Sequence, residues 1–479
     1  MKLFQSDCFV EFHSTTTDKH RENGRYGGSR TERDQLLRRF ESKLSISDYL
    51  TRQLISYQGN KHVPGFRWMK FKEAFSSQLV SDLIRTTVSE QVLDPFSGSG
   101  TTALTAGSLA KTGIGIDVLP VGNMIARAIL AMASLHDLRE FNATAERFLD
   151  SINTESIDRK NCFRHIPITE RAFPDETERA LSKANRFVAQ LEDQNIALLM
   201  EFACLSVLED VSFTRKDGQF LRWDPRSGRQ VSARLNKGSL PSLKDALKEQ
   251  LLCMKADYQR LKETYANARV EIVDSSCFEE LPCMPTDSID LVLTSPPYAN
   301  RYDYTRTYAL ELAFLKFDSD SVKKLRQTLL SATVENHSKR SIVESSYRNS
   351  DLPIRVNELV ANQRALQEVI SVFTLKKEQL NNHKVIDLIH NYFFEMSLVV
   401  AELARVCRSG ANVFMVNDNV QYAGEEVPVD LILTDIAEEL GFECQQIYVL
   451  KRGKGNSSQQ MGRFGRTEIR KCLYHWIRR

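Results

Sequence analysis

The segment Gln91-Val92-Leu93-Asp94-Pro95-Phe96-Ser97-Gly98-Ser99-Gly100-Thr101-Thr102 constrains this chain more than any other. A short strand-like run stops at an acid, passes through a glycine-rich turn, and gives way to Ala103-Leu104-Thr105-Ala106, where a helical pattern starts. Strand, glycine turn and helix in that order open a nucleotide-binding α/β unit. Far downstream, the apolar run Ile289-Asp290-Leu291-Val292-Leu293 ends in Thr294-Ser295-Pro296-Pro297-Tyr298. Two consecutive prolines remove two backbone donors and fix the chain direction just past a strand, and an aromatic follows at once. Taken singly, the first segment also suits a generic nucleotide loop and the second a rigid turn. Together they are far rarer.

The pair Asp94-Pro95-Phe96-Ser97-Gly98-Ser99-Gly100-Thr101-Thr102 and Thr294-Ser295-Pro296-Pro297-Tyr298 resembles motifs I and IV of the DNA amino-methyltransferases. Members of that family use S-adenosyl-L-methionine to methylate the exocyclic amine of cytosine or adenine. The resemblance implies an α/β fold, a Rossmann-like class I methyltransferase sheet with helices on both faces, here interrupted by a large, mainly helical insertion. It also implies cofactor contacts from Asp94, Phe96, Gly98, Gly100, Thr101 and Thr102.

Further matches lie where the family would place them. Lys111-Thr112-Gly113-Ile114-Gly115-Ile116-Asp117 reads as a second strand ending in an acid about 20 residues past the glycine loop, the spacing at which a carboxylate accepts ribose hydroxyls. Upstream, Phe66 to Ser76, with Leu79-Val80 and Leu83-Ile84 after it, resembles motif X, which closes over the methionine end of the cofactor. Phe71, Glu73 and Phe75 are its candidate contacts, although the apolar spacing suits an amphipathic helix packed on the sheet equally well. Val270-Glu271-Ile272-Val273-Asp274 resembles motif III, whose acid lies near the adenine ring; Asp274 is equally suited to capping a helix that starts near Cys277. The distal half of a sheet follows in a helix from Tyr392 to Cys407, a turn at Arg408-Ser409-Gly410, a strand from Asn412 to Val416, a helix from Leu431 to Leu440, and strands from Gln445 to Leu450 and Lys471 to Trp476.

A length of 479 residues exceeds the usual single domain. The net charge of +2 does not announce nucleic acid. Its distribution says more: Arg215 to Lys237 holds seven bases against Asp217 and Asp224, and Lys451 to Arg479 is strongly basic with Glu468 alone opposing it. Such runs meet phosphates or simply face solvent. The nine cysteines form no C-x-x-C pair and no zinc spacing, and no metal is expected. Cys283, in a Pro-Cys dipeptide, reads as an inert loop thiol. Without a signal peptide or a membrane-length apolar run, the chain is expected in the cytoplasm of a bacterial, archaeal or phage-infected cell, with no membrane partner.

The expected layout is an N-terminal arm (1–58), a first catalytic segment (59–120), a mainly helical insertion (121–268) as candidate target-recognition domain, a second catalytic segment (269–313), a second insertion (314–384), and a third catalytic segment (385–479). In the first insertion, Val121 to Ile152, Glu178 to Val207 and Leu243 to Tyr265 have helical periodicity. Between the last two lies an alternating basic and aromatic hairpin with Asp217-Gly218 at its turn, in which Arg215, Lys216, Arg222 and Trp223 are candidate DNA contacts. The second insertion is mixed in charge, with helices expected around Asn357 to Val372, and suits a solvated extension or a DNA contact. The arm, above all His20 to Arg39, is polar, basic and glycine-containing, and is expected to be flexible until it meets a partner.

An exocyclic amine has its lone pair delocalised into the ring, so attack on a sulfonium methyl needs its hydrogens held by acceptors and the nitrogen bent towards a tetrahedral shape. By the family match, the Ser295 hydroxyl and the Pro296 carbonyl are those acceptors, made rigid by Pro296-Pro297, while Tyr298 stacks on a base flipped out of double-stranded DNA. Arg301, Tyr302, Tyr304 and Arg306 adjoin this turn and alternate aromatic and basic character as unpaired bases and phosphates require. Within the family, Ser before Pro-Pro-Tyr is typical of cytosine N4 and Asp of adenine N6. Cytosine N4 is therefore favoured, with adenine N6 the alternative. An RNA methyltransferase and an inactive DNA-binding specificity subunit are further alternatives. Family members commonly work in restriction-modification, and no nuclease site is legible here, so a cognate restriction endonuclease would be a separate chain.

Overall fold

The computed structural model describes residues 31–152, 163–217, 220–229, 235–348, 350–451 and 458–479. Most of the arm before Thr31 and the Gly218-Gln219 tip of the hairpin lie outside the described residues.

Twelve strands are present among the described residues: β1 (Leu44–Ser47), β2 (Gln91–Asp94), β3 (Thr112–Asp117), β4 (Thr214–Asp217), β5 (Phe220–Trp223), β6 (Arg269–Asp274), β7 (Ile289–Thr294), β8 (Cys407–Asp418), β9 (Val420–Tyr422), β10 (Glu425–Val427), β11 (Phe442–Leu450) and β12 (Lys471–Arg478). Eight of them form one sheet in the order β1-β11-β12-β8-β7-β2-β3-β6. β2 lies parallel to both β3 and β7, and β12 runs antiparallel to β8 and β11. From β2 the chain proceeds outward through β3 to β6, and from β7 it proceeds to β8 on the other side. The connections that leave the carboxyl ends of β2 and β7 thus diverge, which opens a crevice at a topological switch point. Both motif segments begin there. This is the Rossmann-like methyltransferase sheet that the sequence implies, with one addition: β1 extends the far edge parallel to β11.

Successive side chains of the central strands bury on opposite faces, as pleating requires. Val292, Val413 and Met415 enter a core shared with the helices Leu352–Asn362, Arg364–Leu375, Val385–Val406 and Val429–Glu439. Leu291, Leu293, Phe414 and Val416 face the other way, onto helix Ser77–Arg85, which presents Leu79, Val80, Leu83 and Ile84. The expected turn at Arg408-Ser409-Gly410 is instead a register shift inside the long strand β8, where the ladder with β7 jumps from Ile289–Cys407 to Leu291–Asn412. The helix expected from Tyr392 begins earlier, at Val385.

The first insertion contributes helices Pro120–Ser134, Arg139–Ser151, Asp175–Val188, Gln194–Val207 and Leu243–Tyr265. The expected continuous pattern from Glu178 to Val207 breaks where Asp193 caps a new helix, accepting from the Asn195 and Ile196 amides at 2.8 and 2.9 Å. These helices share one buried core with Phe66, Trp68 and Phe71. In the second insertion, Gln363 divides the expected helix by capping Arg364–Leu375, its side chain accepting from the Leu366 amide at 2.6 Å.

The arm departs from expectation. From Thr31, whose hydroxyl caps it, helix Glu32–Phe40 docks through Leu36, Leu37 and Phe40. Arg33 is buried and pairs with Glu368 at 2.8 Å and Glu425 at 3.1 Å. Partners nearly 400 positions away supply these contacts, so local polarity could not reveal them.

Candidate active site

A concave cavity opens at the switch point, where ligands of open α/β sheets bind. Segments distant in sequence line it: Phe71 with 73–75, 95–99 with Thr101, 117–119, 275–277, Ser295 with Pro297, Tyr304, and 328–330. The first three and the Ser295 turn contain residues expected from the sequence, whereas at 275–277 the lining residues follow Asp274 and do not include it.

The glycine loop has its shape for identifiable reasons. Gly98 and Gly100 have φ of +51° and +76°, a region that carries no penalty for glycine. A Cβ on Gly100 would lie 2.6 Å from that of Ala126, so the helix Thr101–Ser108 can approach its neighbour only with glycine at its N-cap. Asp117, at the end of β3, accepts from the Gly98 amide at 2.7 Å and the Leu119 amide at 2.8 Å, which ties the loop to the second strand. Burial pushes its carboxyl up from the ordinary range. Each of its oxygens retains a lone pair for a further donor.

Asp94 is buried beneath the loop rather than lining the cavity. Its Oδ1 accepts from the Thr294 hydroxyl at 2.6 Å and the Phe96 amide at 3.0 Å. The Thr102 hydroxyl donates to the Leu293 carbonyl at 3.0 Å. Asp94 thus ties the end of β2 to that of β7, and Thr102 ties the helix after the loop to the same strand, so the two motifs are directly joined. Desolvation drives the Asp94 carboxyl up to about 7.

Segment 66–76 is a 3-10 turn at Phe66–Trp68 followed by irregular chain, and the amphipathic helix begins only at Ser77, capped by Ser76. The two halves part: Phe71, Glu73 and Phe75 line the cavity while the helix packs on the sheet. Asp257, from the long insertion helix, fixes it by accepting from the Gly65 amide, the Arg67 guanidinium and the Trp68 indole at 2.6–3.1 Å.

Asp274 behaves differently from its expectation. It accepts from Asn123 and pairs with Arg127, while the cavity is lined by Ser275, Ser276 and Cys277. The cap of the short helix Cys277–Glu280 is Ser276, not Asp274. Ser97 is not among the residues singled out by the motif, yet it lines the cavity, with its hydroxyl buried against Gly115 and without a hydrogen-bond partner. Thr328, Leu329 and Leu330, from the second insertion, also close the cavity. Nothing in a Thr-Leu-Leu triplet distinguishes a lining from ordinary core.

At the other motif, the Ser295 hydroxyl lies 3.2 Å from that of Tyr298, and Ser295 and Pro297 border the cavity. Desolvation raises the Tyr298 phenol, which stays protonated.

The comparisons with known proteins agree with this geometry. Residues 14–121 match the family model described as "DNA methylase". Over 491 aligned residues, covering 99% of both chains, the protein is 38% identical to the Type II methyltransferase M.AvaI of Nostoc sp. (strain PCC 7120) and to that of Anabaena variabilis. It is also 38% identical to the Type II methyltransferase M.BsoBI of Geobacillus stearothermophilus, covering 93% of this chain and 92% of the relative. The chain belongs to the DNA amino-methyltransferase family. No solved structure matches it.

As a member of a family of DNA methylases, the protein is a DNA methyltransferase, and the family implies S-adenosyl-L-methionine as its methyl donor. The cavity fits that donor: the Asp117 carboxylate has spare acceptor capacity, and Phe71, Phe75 and Phe96 give apolar walls.

Two candidate DNA contacts on the hairpin are corrected. Alternation along β4 and β5 exposes Arg215 and Arg222 but buries Lys216 and Trp223. Lys216 forms an ion pair with the fully buried Glu311, with its ammonium 4.7 Å from the centre of the Tyr308 ring. A lysine so consumed is withdrawn from phosphate. Trp223 packs inward under the Arg229 guanidinium at 4.3 Å. Of the four residues after the catalytic turn, Tyr302 donates to Glu73 and Tyr304 lines the cofactor cavity, so both rings face the cavity segment instead of projecting outward. Arg301 has a left-handed backbone, φ +67°, and lies 5.7 Å from the centre of the Tyr422 ring. Arg306 is half-exposed, 4.0 Å from Asp303, which caps the helix Tyr304–Thr307 and pairs more closely with Arg326 at 3.1 Å. No helix among the described residues is long and apolar enough to cross a membrane, and no group of residues there is arranged to hold a metal ion.

Proposed function

We propose that this protein methylates the N4 amine of a cytosine flipped from double-stranded DNA, at a specific sequence, and that it partners a separate restriction endonuclease. The observation that carries the base assignment is Ser295: a hydroxyl, not a carboxylate, borders the donor cavity at the end of β7. The Type II names of the relatives support the restriction-modification setting.

In this reading Asp117 receives the ribose hydroxyls, while Phe71, Glu73, Phe75, Phe96 and the loop Gly98–Thr102 hold the remainder of the donor. When bound, the donor supplies an electrophilic methyl group. The chain's own role is to orient the amine. Ser295 Oγ and the Pro296 carbonyl accept its hydrogens, and the diproline keeps that array fixed before substrate arrives, so little reorganisation is needed at the moment of transfer. Tyr298 supplies the stacking face, worth about 1–3 kcal/mol for a base. Arg301, Arg306, Arg215 and Arg222 remain the candidate phosphate contacts.

Incubating unmethylated DNA with purified protein and labelled donor, then separating the nucleosides, tests this. N4-methylcytosine is the expected product. N6-methyladenine alone would replace the assignment, and label in RNA but not DNA would overturn it.

A further inference from the structure

Beside Tyr298, at the adjoining ends of β8 and β12, lies a charged pair that none of the family motifs includes. Asp418 and Lys471 are register partners across the antiparallel ladder. Asp418 is 2% exposed; its Oδ2 meets Lys471 Nζ at 2.7 Å and the Ser458 hydroxyl at 3.3 Å. Its Oδ1 is buried with no hydrogen-bond partner. The neighbouring pair is arranged differently: Asp430 takes the Arg470 guanidinium on both oxygens, at 2.7 and 3.0 Å, and the Leu431 amide as well. A buried carboxylate oxygen left without a donor costs about 1–3 kcal/mol or more, and such exceptions call for a reason.

The position of Lys471 supplies one. Its ammonium, on a side chain about one-third exposed, lies 6.0 Å from the centre of the Tyr298 ring. Stacked aromatic rings have centroids roughly 4.5–7 Å apart, so a base stacked on Tyr298 would bring its edge to the same place as this ammonium. Lys471 thus brings a donor to the edge of the stacking face, and the unpartnered Asp418 Oδ1 is buried behind it. An amino-bearing base offers the complement: an N–H of the amine and, next to it, an unprotonated ring nitrogen, N3 in cytosine or N1 in adenine. Thymine and guanine offer the reverse, a carbonyl beside a protonated nitrogen, and would set carbonyl against carboxylate and N–H against ammonium.

We propose that Asp418 and Lys471 are specificity-determining residues that read the Watson–Crick edge of the flipped base, Lys471 donating to the ring nitrogen and Asp418 Oδ1 accepting from the exocyclic amine. This rests on the reading of Tyr298 as the stacking face. Ser295 and the Pro296 carbonyl keep their roles on the amine, and Asp418 shares one of its two hydrogens with them. That role gives a reason for one buried acid oxygen to be left without a protein donor.

The test uses the full chain with unmethylated plasmid DNA and labelled donor, and compares Lys471→Met, Lys471→Arg, and the double variant Asp418→Asn with Lys471→Met. The double variant leaves no lone buried charge, so it guards against simple misfolding. Methyl transfer at saturating donor and DNA should slow by about 100-fold or more in Lys471→Met and in the double variant, the scale on which loss of a positioned polar group acts. Substantial recovery by Lys471→Arg is expected, with wild-type donor affinity and Tm for the double variant. Transfer within about three-fold of wild type by the folded double variant would overturn the proposal, as would loss of donor binding in step with loss of transfer. Product analysis of the wild-type reaction separates the two readings: N6-methyladenine would end the cytosine assignment while the pair, which reads the edge both bases share, would still be upheld by the variant series.

Discussion

At the scale of single residues, the acids of the site do different things although the sequence presents them alike. Asp117 borders the cavity, Asp94 lies under the loop as a clamp between two strands, and Asp274 has turned to Asn123 and Arg127. Each ends a strand, so strand position alone assigns them one role. What separates them is which amide or hydroxyl lies within about 3 Å, and that depends on neighbouring strands. Asp94 yields a pH prediction. Its folded carboxyl titrates at about 7, above the unfolded value of about 3.9, so the folded state holds a proton that the unfolded state has lost between those limits. Stability from this group is full below about pH 4 and is lost as pH rises through about 7, by at most ~4 kcal/mol. Asp94→Asn keeps an acceptor for the Phe96 amide but cannot ionise. The drop in Tm between pH 5.5 and 8 should therefore be smaller in the variant than in the wild type. An equal drop in both would show that Asp94 does not titrate in this range.

At the scale of elements, the central strands are legible because β2, β3, β7 and the distal strands are apolar runs stopped by glycine, proline or acid. The long helix Leu243–Tyr265 is equally plain. What cannot be read is which face of an element is used. The hairpin is evident in the sequence, yet its alternation sends Lys216 to Glu311 and Trp223 to the core. The motif X segment is evident too, but not that Asp257, far along the chain, holds it. That attachment is testable. Asp257→Asn removes the charge that meets Arg67 and weakens four donor contacts, and should cost about 3 kcal/mol of stability. Because Phe71, Glu73 and Phe75 follow directly, donor affinity should fall as well, by calorimetric titration. A variant with wild-type denaturation midpoint and wild-type affinity would show that the segment is positioned without it.

At the scale of the whole molecule, two features of composition suggest surfaces for a partner and prove partly internal. In the basic run at the C-terminal end, Arg470 pairs with Asp430, Lys471 with Asp418, and Arg478 donates to the Ala404 and Gly441 carbonyls, while Arg463, Arg466 and Arg479 are exposed and Lys451 meets Asp48 at the surface. The polar arm, from Thr31, is a docked helix followed by an added edge strand. Charge along a sequence does not disclose partners supplied by folding, and these are separated by up to about 400 positions. The insertion between β3 and β6, in turn, shares a core with the segment that closes the donor cavity, so elements proposed to meet DNA and elements proposed to hold the donor move as one body. The central claim is that this body delivers a methyl group to one amine at one sequence. Modified-base sequencing of DNA from cells that express the protein, beside cells expressing Ser295→Ala, tests it most directly. N4-methylcytosine confined to a single recurring sequence, and absent with the variant, is the predicted result. Unmodified DNA in both, or modification unchanged by Ser295→Ala, would contradict it.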